Sequence, residues 1–377
     1  MQPVQAPYWT VRLRELAAHH LRITLLLERE GFAHRPGWHP EPIERVDTVF
    51  LGSSVVATAR SGKDLGYEIK GIRSIPWRLL PALWRLHPDV SVVCNATQLL
   101  LALPYKWLRK GRLVIIVEDT PHSTRNLGKL DAWIKAWIYR RADAWFAFSE
   151  DAQRYLKGIG LESGVRRSYW SLDMLAFQRD EALEDKSVRC LQTYDHSCTV
   201  IFVGALVVNK GVALLLESWR HLPVSVRGRS RLVLVGSGPM SGEVEAYIQE
   251  NDLAEVETVG QVPYETVRDL LARSDLLVLP TLQDLYSLTV LEAMACGCAV
   301  ITTPFNGARE LVVEGETGWI VDPTVPWALT RILEHALSAE VDLSRMGEAA
   351  RKNVARLDNR EVMRLFAKSL YEIAESK

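Results

Sequence analysis

Apolar positions in the second half of the chain form short runs that alternate with longer segments of helical spacing. The runs cover residues 199–203, 232–235, 276–279 and 300–302, a further strand is predicted at 256–259, and helix-like segments cover residues 211–221, 242–251 and 264–274. Short continuous apolar runs are typical of strands that are buried on both faces. Their alternation with helices predicts a parallel sheet with helices on both sides.

The first half shows the same alternation less regularly. Apolar runs rich in β-formers predict strands at 21–27, 46–52, 90–94, 113–117 and 143–149, of which the first two are expected to be parallel. Residues 6–20 predict a loop and a helix capped by Thr10, and residues 74–90, 127–141 and 150–160 predict further helices. Only MQPVQA precedes the first helix, so a strand there is expected to be short or missing, or the natural start lies upstream.

A chain of 377 residues is too long for one ordinary core, so we expect two domains. The first is expected to span residues 1–180 and the second residues 190–345. Residues 172–197 show no sustained period and many charges, which favours an interdomain connection. Residues 346–377 predict amphipathic C-terminal helices.

The stretch PTLQDLYSLTVLEAMACGC (280–298) holds two acids, Asp284 and Glu292, with seven residues between them. Its helical segment begins after Ser287, a residue suited to cap it, and ends at Gly297, which suits a left-handed conformation. The helix stands between two predicted parallel strands, so its amino end should open at a switch-point crevice. Free amides of the first turn, at Leu288 and Thr289, could hold a phosphate without a metal.

The stretch resembles the donor site of retaining glycosyltransferases of family 4. The resemblance extends through IFVGALVVNKG (201–211), LVLVGSGP (232–239), VGQVP (259–263) and NGARELVVEGETGWIVD (306–322). It implies the α/β GT-B fold, two Rossmann-like doubly wound parallel-sheet domains facing a cleft, with the last helix returning to the N-terminal domain. It also implies a nucleotide-sugar donor, a UDP-sugar or GDP-sugar, and no required cofactor or metal.

The resemblance implies a role for each matching residue. Lys210 and the helix amides of Ser287, Leu288 and Thr289 would bind the diphosphate, Glu292 the ribose, and Asp284, which replaces the usual Glu, the donor sugar. The loops that would surround the base and phosphates carry Gly204, Gly236, Ser237 and Val262. The family usually has an Arg five residues before the Lys, where this chain has Ala205, which removes one cation.

Polar residues also follow the strand 113–117, in the sequence Glu118-Asp119-Thr120-Pro121-His122. Such residues emerge at the carboxyl end of a parallel strand, where α/β sheets bind ligands. A His in such a loop is more often a surface residue, but the family pattern favours a catalytic role for His122 beside the donor. Candidates on the acceptor side are Tyr8, Asn95 and Glu118; Pro7 and Tyr8 stand where the family has a Gly-rich turn.

Charge is divided between the two halves. Residues 1–180 hold 26 Lys and Arg against 18 Asp and Glu, a net +8, and residues 181–377 hold 19 against 28, a net −9. Nine of the twelve Trp residues lie in the basic half, which favours an anionic partner, a membrane surface or a phosphate-bearing acceptor, over nucleic acid. Two segments could make that contact, 74–90 with Trp77 and Trp84, and YKWLRKGR (105–112); ordinary packing and a solvated helix end are the alternatives.

Other features exclude several functions. The five cysteines show no paired CxxC spacing, so buried thiols are favoured over a metal or redox site. No apolar run is long enough to cross a bilayer, and the start lacks a signal-peptide core, so a cytoplasmic location is expected, peripheral on the inner face of the membrane where lipid is bound. The function predicted is transfer of a sugar to a glycan or lipid-linked acceptor in cell-envelope polysaccharide or glycolipid synthesis. A catalytically weak or inactive GT-B scaffold and a sugar-nucleotide epimerase remain alternatives.

Overall fold

The computed structural model describes residues 7–28, 41–52, 54–62, 67–177 and 198–376. Three expectations lie outside these residues: the short or missing first strand, most of the loop after the strand 21–27, and most of the interdomain connection. The chain divides into two compact units. Unit 1 comprises Met1–Asp173 and Leu357–Lys377, and unit 2 comprises Met174–Arg356.

Unit 1 is built from eight strands and six helices, followed by the last helix of the chain, within the described residues. The strands β5 to β8 form a parallel sheet in sequential order, and β1 and β2 form a separate parallel pair. The parallel pairing of β1 with β2 is as predicted, whereas β8 and the separation of the two sheets were not predicted. In chain order the elements are α1 (Pro7–Ala17), β1 (Ile23–Leu27), β2 (Val46–Phe50), β3 (Ser54–Gly62), β4 (Tyr67–Ile75), α2 (Leu79–Leu86), β5 (Val90–Val93), α3 (Ala96–Arg109), β6 (Arg112–Val117), α4 (Pro121–Thr124), α5 (Lys129–Tyr139), β7 (Ala144–Ala147), α6 (Glu150–Gly158) and β8 (Val165–Arg167).

Three expectations for unit 1 are corrected. Thr10 does not cap α1, because the helix already begins at Pro7 and Thr10 is buried within it. The helix expected over 74–90 is only Leu79–Leu86, since Ile75 still belongs to β4. The antiparallel hairpin β3–β4 was not anticipated, because its strands lack the continuous apolar runs that mark the buried strands.

Unit 2 contains one six-stranded parallel sheet in the order β11-β10-β9-β12-β13-β14, which confirms the predicted architecture. The chain starts on β9, extends to β11 on one side, and then returns to build β12 to β14 on the other. The switch point therefore lies between β9 and β12. The elements are β9 (Cys198–Val203), α7 (Val212–Arg220), α8 (Val224–Arg227), β10 (Ser230–Val235), α9 (Ser241–Glu250), β11 (Val256–Gly260), α10 (Tyr264–Ala272), β12 (Leu276–Val278), α11 (Leu288–Ala295), β13 (Ala299–Thr302), β14 (Gly318–Ile320), α12 (Ala328–Ala336) and α13 (Leu343–Val354), with a 3-10 turn at Gly307–Leu311.

The last helix, α14 (Asn359–Glu375), packs on α1 and is part of unit 1. Its Phe366 ring lies 4.3 Å from the Phe146 ring of β7, measured between centroids. The backbone joins the same unit before the helix, since the amide of Asn359 donates to the carbonyl of Leu172 at 2.8 Å. The C-terminal residues thus complete the core of the unit in which the chain begins.

Candidate functional site

Two oppositely charged side chains meet at the switch point of the unit 2 sheet. Lys210 lies in the turn that follows β9, and Asp284 lies in the loop that follows β12. The ammonium Nζ of Lys210 is 2.5 Å from Oδ2 of Asp284, and the two side chains are 23% and 14% exposed. The carboxyl edge at a switch point is where open α/β sheets bind ligands, so this ion pair marks the centre of the site.

The turn that carries Lys210 packs tightly against residues 280–282, which follow β12. Gly211 has φ +73°, and a Cβ there would lie 2.0 Å from the carbonyl oxygen of Pro280. The carbonyl of Asn209 accepts hydrogen bonds from the hydroxyl of Thr281 at 2.7 Å and from the amide of Leu282 at 2.8 Å. Only glycine allows this close approach, which fixes the direction of the Lys210 side chain.

The loop that carries Asp284 is held by residues 305–307. The amide of Asp284 donates to the carbonyl of Phe305 at 3.0 Å, and the amide of Gly307 donates to the carbonyl of Asp284 at 3.2 Å. A Cβ at Gly307 would lie 1.9 Å from the carbonyl oxygen of Leu285. The NGARE motif therefore acts as a backbone clamp on the acidic loop.

Helix α11 begins beside this clamp and differs at its start from the expectation. Ser287 occupies the cap position, but its side chain makes no capping hydrogen bond. The loop is fixed instead by the side chain of Asn306, which accepts a hydrogen bond from the Ser287 amide at 3.2 Å. Leu288 and Thr289 form the half-buried first turn. Gly297, with φ +81°, follows the last helical turn as predicted.

Glu292 lies one turn into α11 and is 7% exposed. Its Oε1 accepts a hydrogen bond of 2.8 Å from the hydroxyl of Tyr264, the first residue of α10. Burial raises the pKa of Glu292 to about 7, and the hydrogen bond from Tyr264 acts in the opposite direction. Sequence reasoning missed Tyr264; the signal was a tyrosine directly after the VGQVP motif, at the carboxyl edge of β11.

The expected base and phosphate loops lie along the same edge. The amide of Gly204 donates to the carbonyl of Val235 at 2.9 Å, and a Cβ at Gly236 would lie 1.9 Å from the carbonyl oxygen of Gly204. Ser237 is exposed in the same loop, and Val262 is half-buried after β11. Ala205 is exposed next to Gly204, so a longer side chain at this position would extend from the edge.

In unit 1, a half-buried ion pair lies close in sequence to His122. Lys135 and Tyr139 donate to the two carboxylate oxygens of Asp119 at 2.6 and 2.5 Å. The short helix α4 carries His122, and Nη1 of Arg125 lies 2.5 Å from its imidazole. Glu118 is half-buried directly after β6.

Two acceptor-side candidates have contacts that fix the fold. Asn95 caps α3, accepting from the amide of Gln98 at 2.9 Å. Tyr8 lies in α1 and packs edge-on against the Trp170 ring, with centroids 5.4 Å apart. Gln98 also donates from its side chain to Oε1 of the buried Glu28 at 2.8 Å, and the sequence offered no pattern that marked Glu28.

Neither a metal cluster nor a membrane span is found in the described ranges. No group of three or more His, Cys, Asp or Glu side chains there could hold a metal ion. In that same part of the chain, no helix combines the length and hydrophobicity needed to cross a bilayer.

Comparisons with known proteins follow this geometry. The structure is similar to that of Anabaena Alr3699/HepE in complex with UDP, with a TM-score of 0.76, 16% identity and 98% of each chain covered. It is also similar to WaaG, a glycosyltransferase involved in lipopolysaccharide biosynthesis, with a TM-score of 0.68, 16% identity, and 97% of this chain and 96% of that chain covered. These likenesses establish the fold class, two parallel-sheet α/β units of the GT-B type.

Sequence comparison adds a likeness to a family. Residues 185–353 match the family model described as glycosyl transferases group 1, so most of unit 2 is similar to members of that family. The alpha-maltose-1-phosphate synthase of Mycolicibacterium smegmatis is 26% identical over 280 residues, covering 64% of this chain and 68% of that protein. A further relative matches over 148 residues only, so that the chain spans 40% of its length.

Proposed function

We propose that the protein transfers a sugar, with retention of configuration, from a nucleotide diphosphate donor to a glycan or lipid-linked acceptor. Unit 2 would hold the donor, with the diphosphate on Lys210 and the first amides of α11. Glu292 would accept hydrogen bonds from the ribose, and Asp284 from the donor sugar. The observation that carries the proposal is the Lys210–Asp284 pair at the switch point, beside the amino end of α11.

The chemistry needs positive groups where negative charge develops. The bond from the anomeric carbon to the diphosphate oxygen breaks, a bond to the acceptor oxygen forms on the same face, and the acceptor proton passes to the departing phosphate. An ammonium group has three donors, so Lys210 can contact a phosphate oxygen while it keeps Asp284. Fixed positive groups of this kind stabilise the leaving diphosphate more than the intact donor, which lowers the barrier. In this scheme His122 of unit 1 assists by donating to a sugar hydroxyl or a phosphate oxygen.

Calorimetry with UDP, GDP and ADP tests the donor site. The wild type should bind at least one of the three, and Glu292→Ala should weaken that binding by about 1–3 kcal/mol, because a charged acceptor is lost. A matched control is Glu243→Ala, since Glu243 is an exposed acid of the same unit. Binding of none of the nucleotides to folded protein would refute the proposed function.

Two alternatives use the same fold without transfer. Ala205 removes a cation that the family usually supplies, which favours a weak or inactive scaffold protein. Release of sugar or its transfer from a panel of nucleotide sugars would exclude that alternative, and Ala205→Arg, compared with Ala205→Gln as an uncharged control of similar length, should raise the rate. An epimerase would instead convert the donor with no acceptor present.

Unit 1, which would bind the acceptor, is proposed to lie against an anionic membrane surface. The helix first considered for this contact is unsuitable, because Leu79, Ala82 and Leu83 of α2 are buried and the Trp84 ring packs edge-on against Tyr105. Exposed apolar residues instead occupy α3 and α5, two helices that pack together. They are Trp107, Leu108, Leu130, Trp133 and Ile134.

Charge supports the same surface, here called the α3–α5 face. Residues 96–141 contain nine Lys and Arg but only three Asp and Glu, a net +6. Surfaces that bind anionic lipid combine exposed Trp and Leu side chains with basic residues. A lipid-linked acceptor would be presented at such a surface, on the cytoplasmic side of the membrane.

A further inference from the structure

The Glu292 carboxylate is held by one side chain that the proposed chemistry does not yet use. Its Oε1 accepts the hydroxyl of Tyr264 at 2.8 Å, and among the described residues this is the only hydrogen bond to the carboxylate. A phenol has one proton to donate, so this bond commits Tyr264 to Glu292. The second oxygen, Oε2, remains available to a ligand.

Tyr264 is itself fixed in place. It is the first residue of α10, directly after Pro263, and α10 packs on α11. The ring of Phe177 meets the Tyr264 ring edge-on, with centroids 6.3 Å apart and an interplanar angle of 72°. The phenol is thus flanked by the Phe177 ring and directed at the acid that it contacts, although Tyr264 as a residue is 47% exposed.

We propose that Tyr264 is a positioning residue for nucleotide binding, which fixes Oε1 of Glu292 so that Oε2 accepts a hydrogen bond from a ribose hydroxyl. The proposal rests on the nucleotide site described above. A buried carboxylate with no fixed partner would rotate or take up a proton, and either change removes the acceptor that the ribose needs. The phenol opposes both changes by giving the ionised form a hydrogen bond.

The electrostatics give this role a pH signature. Burial raises the pKa of Glu292 to about 7 and the Tyr264 hydrogen bond lowers it, so loss of the phenol must raise it further. The other charged and titratable groups on the neighbouring elements are Glu265, Arg268 and Asp269 of α10, Cys296 after α11, Arg309 and Glu310 of the turn 307–311, and the exposed Arg345, Glu348, Arg351 and Lys352 of α13. The causes that shift the pKa of Glu292 are its burial and Tyr264 alone.

The test is Tyr264→Phe, with affinity measured for whichever of UDP, GDP and ADP binds the wild type best. The dissociation constant of the variant should exceed that of the wild type by about threefold at about pH 8.5 and by more than about tenfold at about pH 6. The difference arises because the Glu292 carboxyl group of the variant has the higher pKa and therefore keeps its proton up to a higher pH. Titration of the nucleotide phosphate cancels in the ratio of the two constants. In a Glu292→Gln background, which cannot ionise, Tyr264→Phe should show no such pH dependence.

A matched control exists in the same unit. The hydroxyl of Tyr247 also donates to a carboxylate, that of Glu217, on an exposed surface. Tyr247→Phe should leave nucleotide affinity unchanged at both pH values. An affinity loss in Tyr264→Phe that is equal at both pH values, or no loss, would overturn the positioning role while leaving the proposed nucleotide site intact.

Discussion

Glu292 shows how a residue proposed to bind a ligand can cost stability. Its folded-state pKa of about 7 lies above the ordinary value of 4.5, so the folded chain disfavours the ionised form. The resulting penalty is absent below about pH 4.5 and complete above about pH 7, which means that stability falls as the pH rises through this window. An acid that is proposed to bind a ribose in its charged form is thus kept in a place that resists its charge.

We therefore expect Glu292→Gln to stabilise the protein without ligand. At about pH 8 the free energy of unfolding of unit 2 should rise by roughly 2 kcal/mol, whereas at about pH 5 it should change little. Glutamine keeps an oxygen that can accept from Tyr264 but carries no charge. Urea denaturation at the two pH values measures the effect, with Glu243→Gln as the exposed control, and a variant less stable than wild type at pH 8 would contradict it.

The residue scale also shows what the sequence left open. Lys210 and Asp284 were expected in one site but with separate partners, and their direct contact depends on two loops that a sequence pattern does not orient. Tyr264 was missed because a tyrosine at the start of a helix is usually a packing residue. Glu292 lies 28 residues further along the chain, and the two residues come into contact through the packing of their two helices.

At the scale of elements, the α3–α5 face defines a test for lipid binding. Trp133 on this face is 61% exposed, and Trp77, outside it, is 62% exposed. The triple change Leu130→Ser, Trp133→Ser and Ile134→Ser should abolish sedimentation with phosphatidylcholine–phosphatidylglycerol vesicles at low salt, because the inserting apolar side chains are removed. None of the three side chains is buried, so the fold should be kept.

Trp77→Ser is the matched control for that experiment. It should sediment like the wild type, and binding should weaken with added salt and in vesicles of phosphatidylcholine alone. Equal losses of sedimentation in the control and the triple variant would show that the lipid contact lies outside the α3–α5 face. A wild type that never sediments would exclude the membrane surface as a partner.

At the scale of the whole molecule, the sequence predicted unit 2 far better than unit 1. Alternation of strand-like and helix-like segments gave every strand from β9 to β13. The signal is strongest for β9, β12 and β13, because strands buried on both faces are formed by continuous apolar runs. In unit 1 the two strands of the hairpin β3–β4 mix polar and apolar residues. Their pairing depends on contacts between residues that are distant in the sequence, which a short-range pattern does not reveal. Element boundaries such as that of α2 were likewise set by the neighbouring strand rather than by helical propensity.

The path of the chain yields a final prediction, since α14 is joined in sequence to unit 2 but packs in unit 1. Phe366, 6% exposed, contacts Phe146 of β7, and its neighbour Leu365 is 47% exposed. Phe366→Ala should destabilise unit 1 by about 3 kcal/mol through loss of a buried aromatic, and Leu365→Ala by less than about 1 kcal/mol.

Hydrogen exchange followed by mass spectrometry distinguishes the units. In Phe366→Ala, amides of β7 and α1 should exchange roughly 100-fold faster, since their protection depends on the core that α14 completes. Amides of β9 in unit 2 should keep the wild-type rate, and nucleotide affinity should not change. Faster exchange in β9 with wild-type rates in β7 would show that the helix instead supports the unit to which it is joined in sequence.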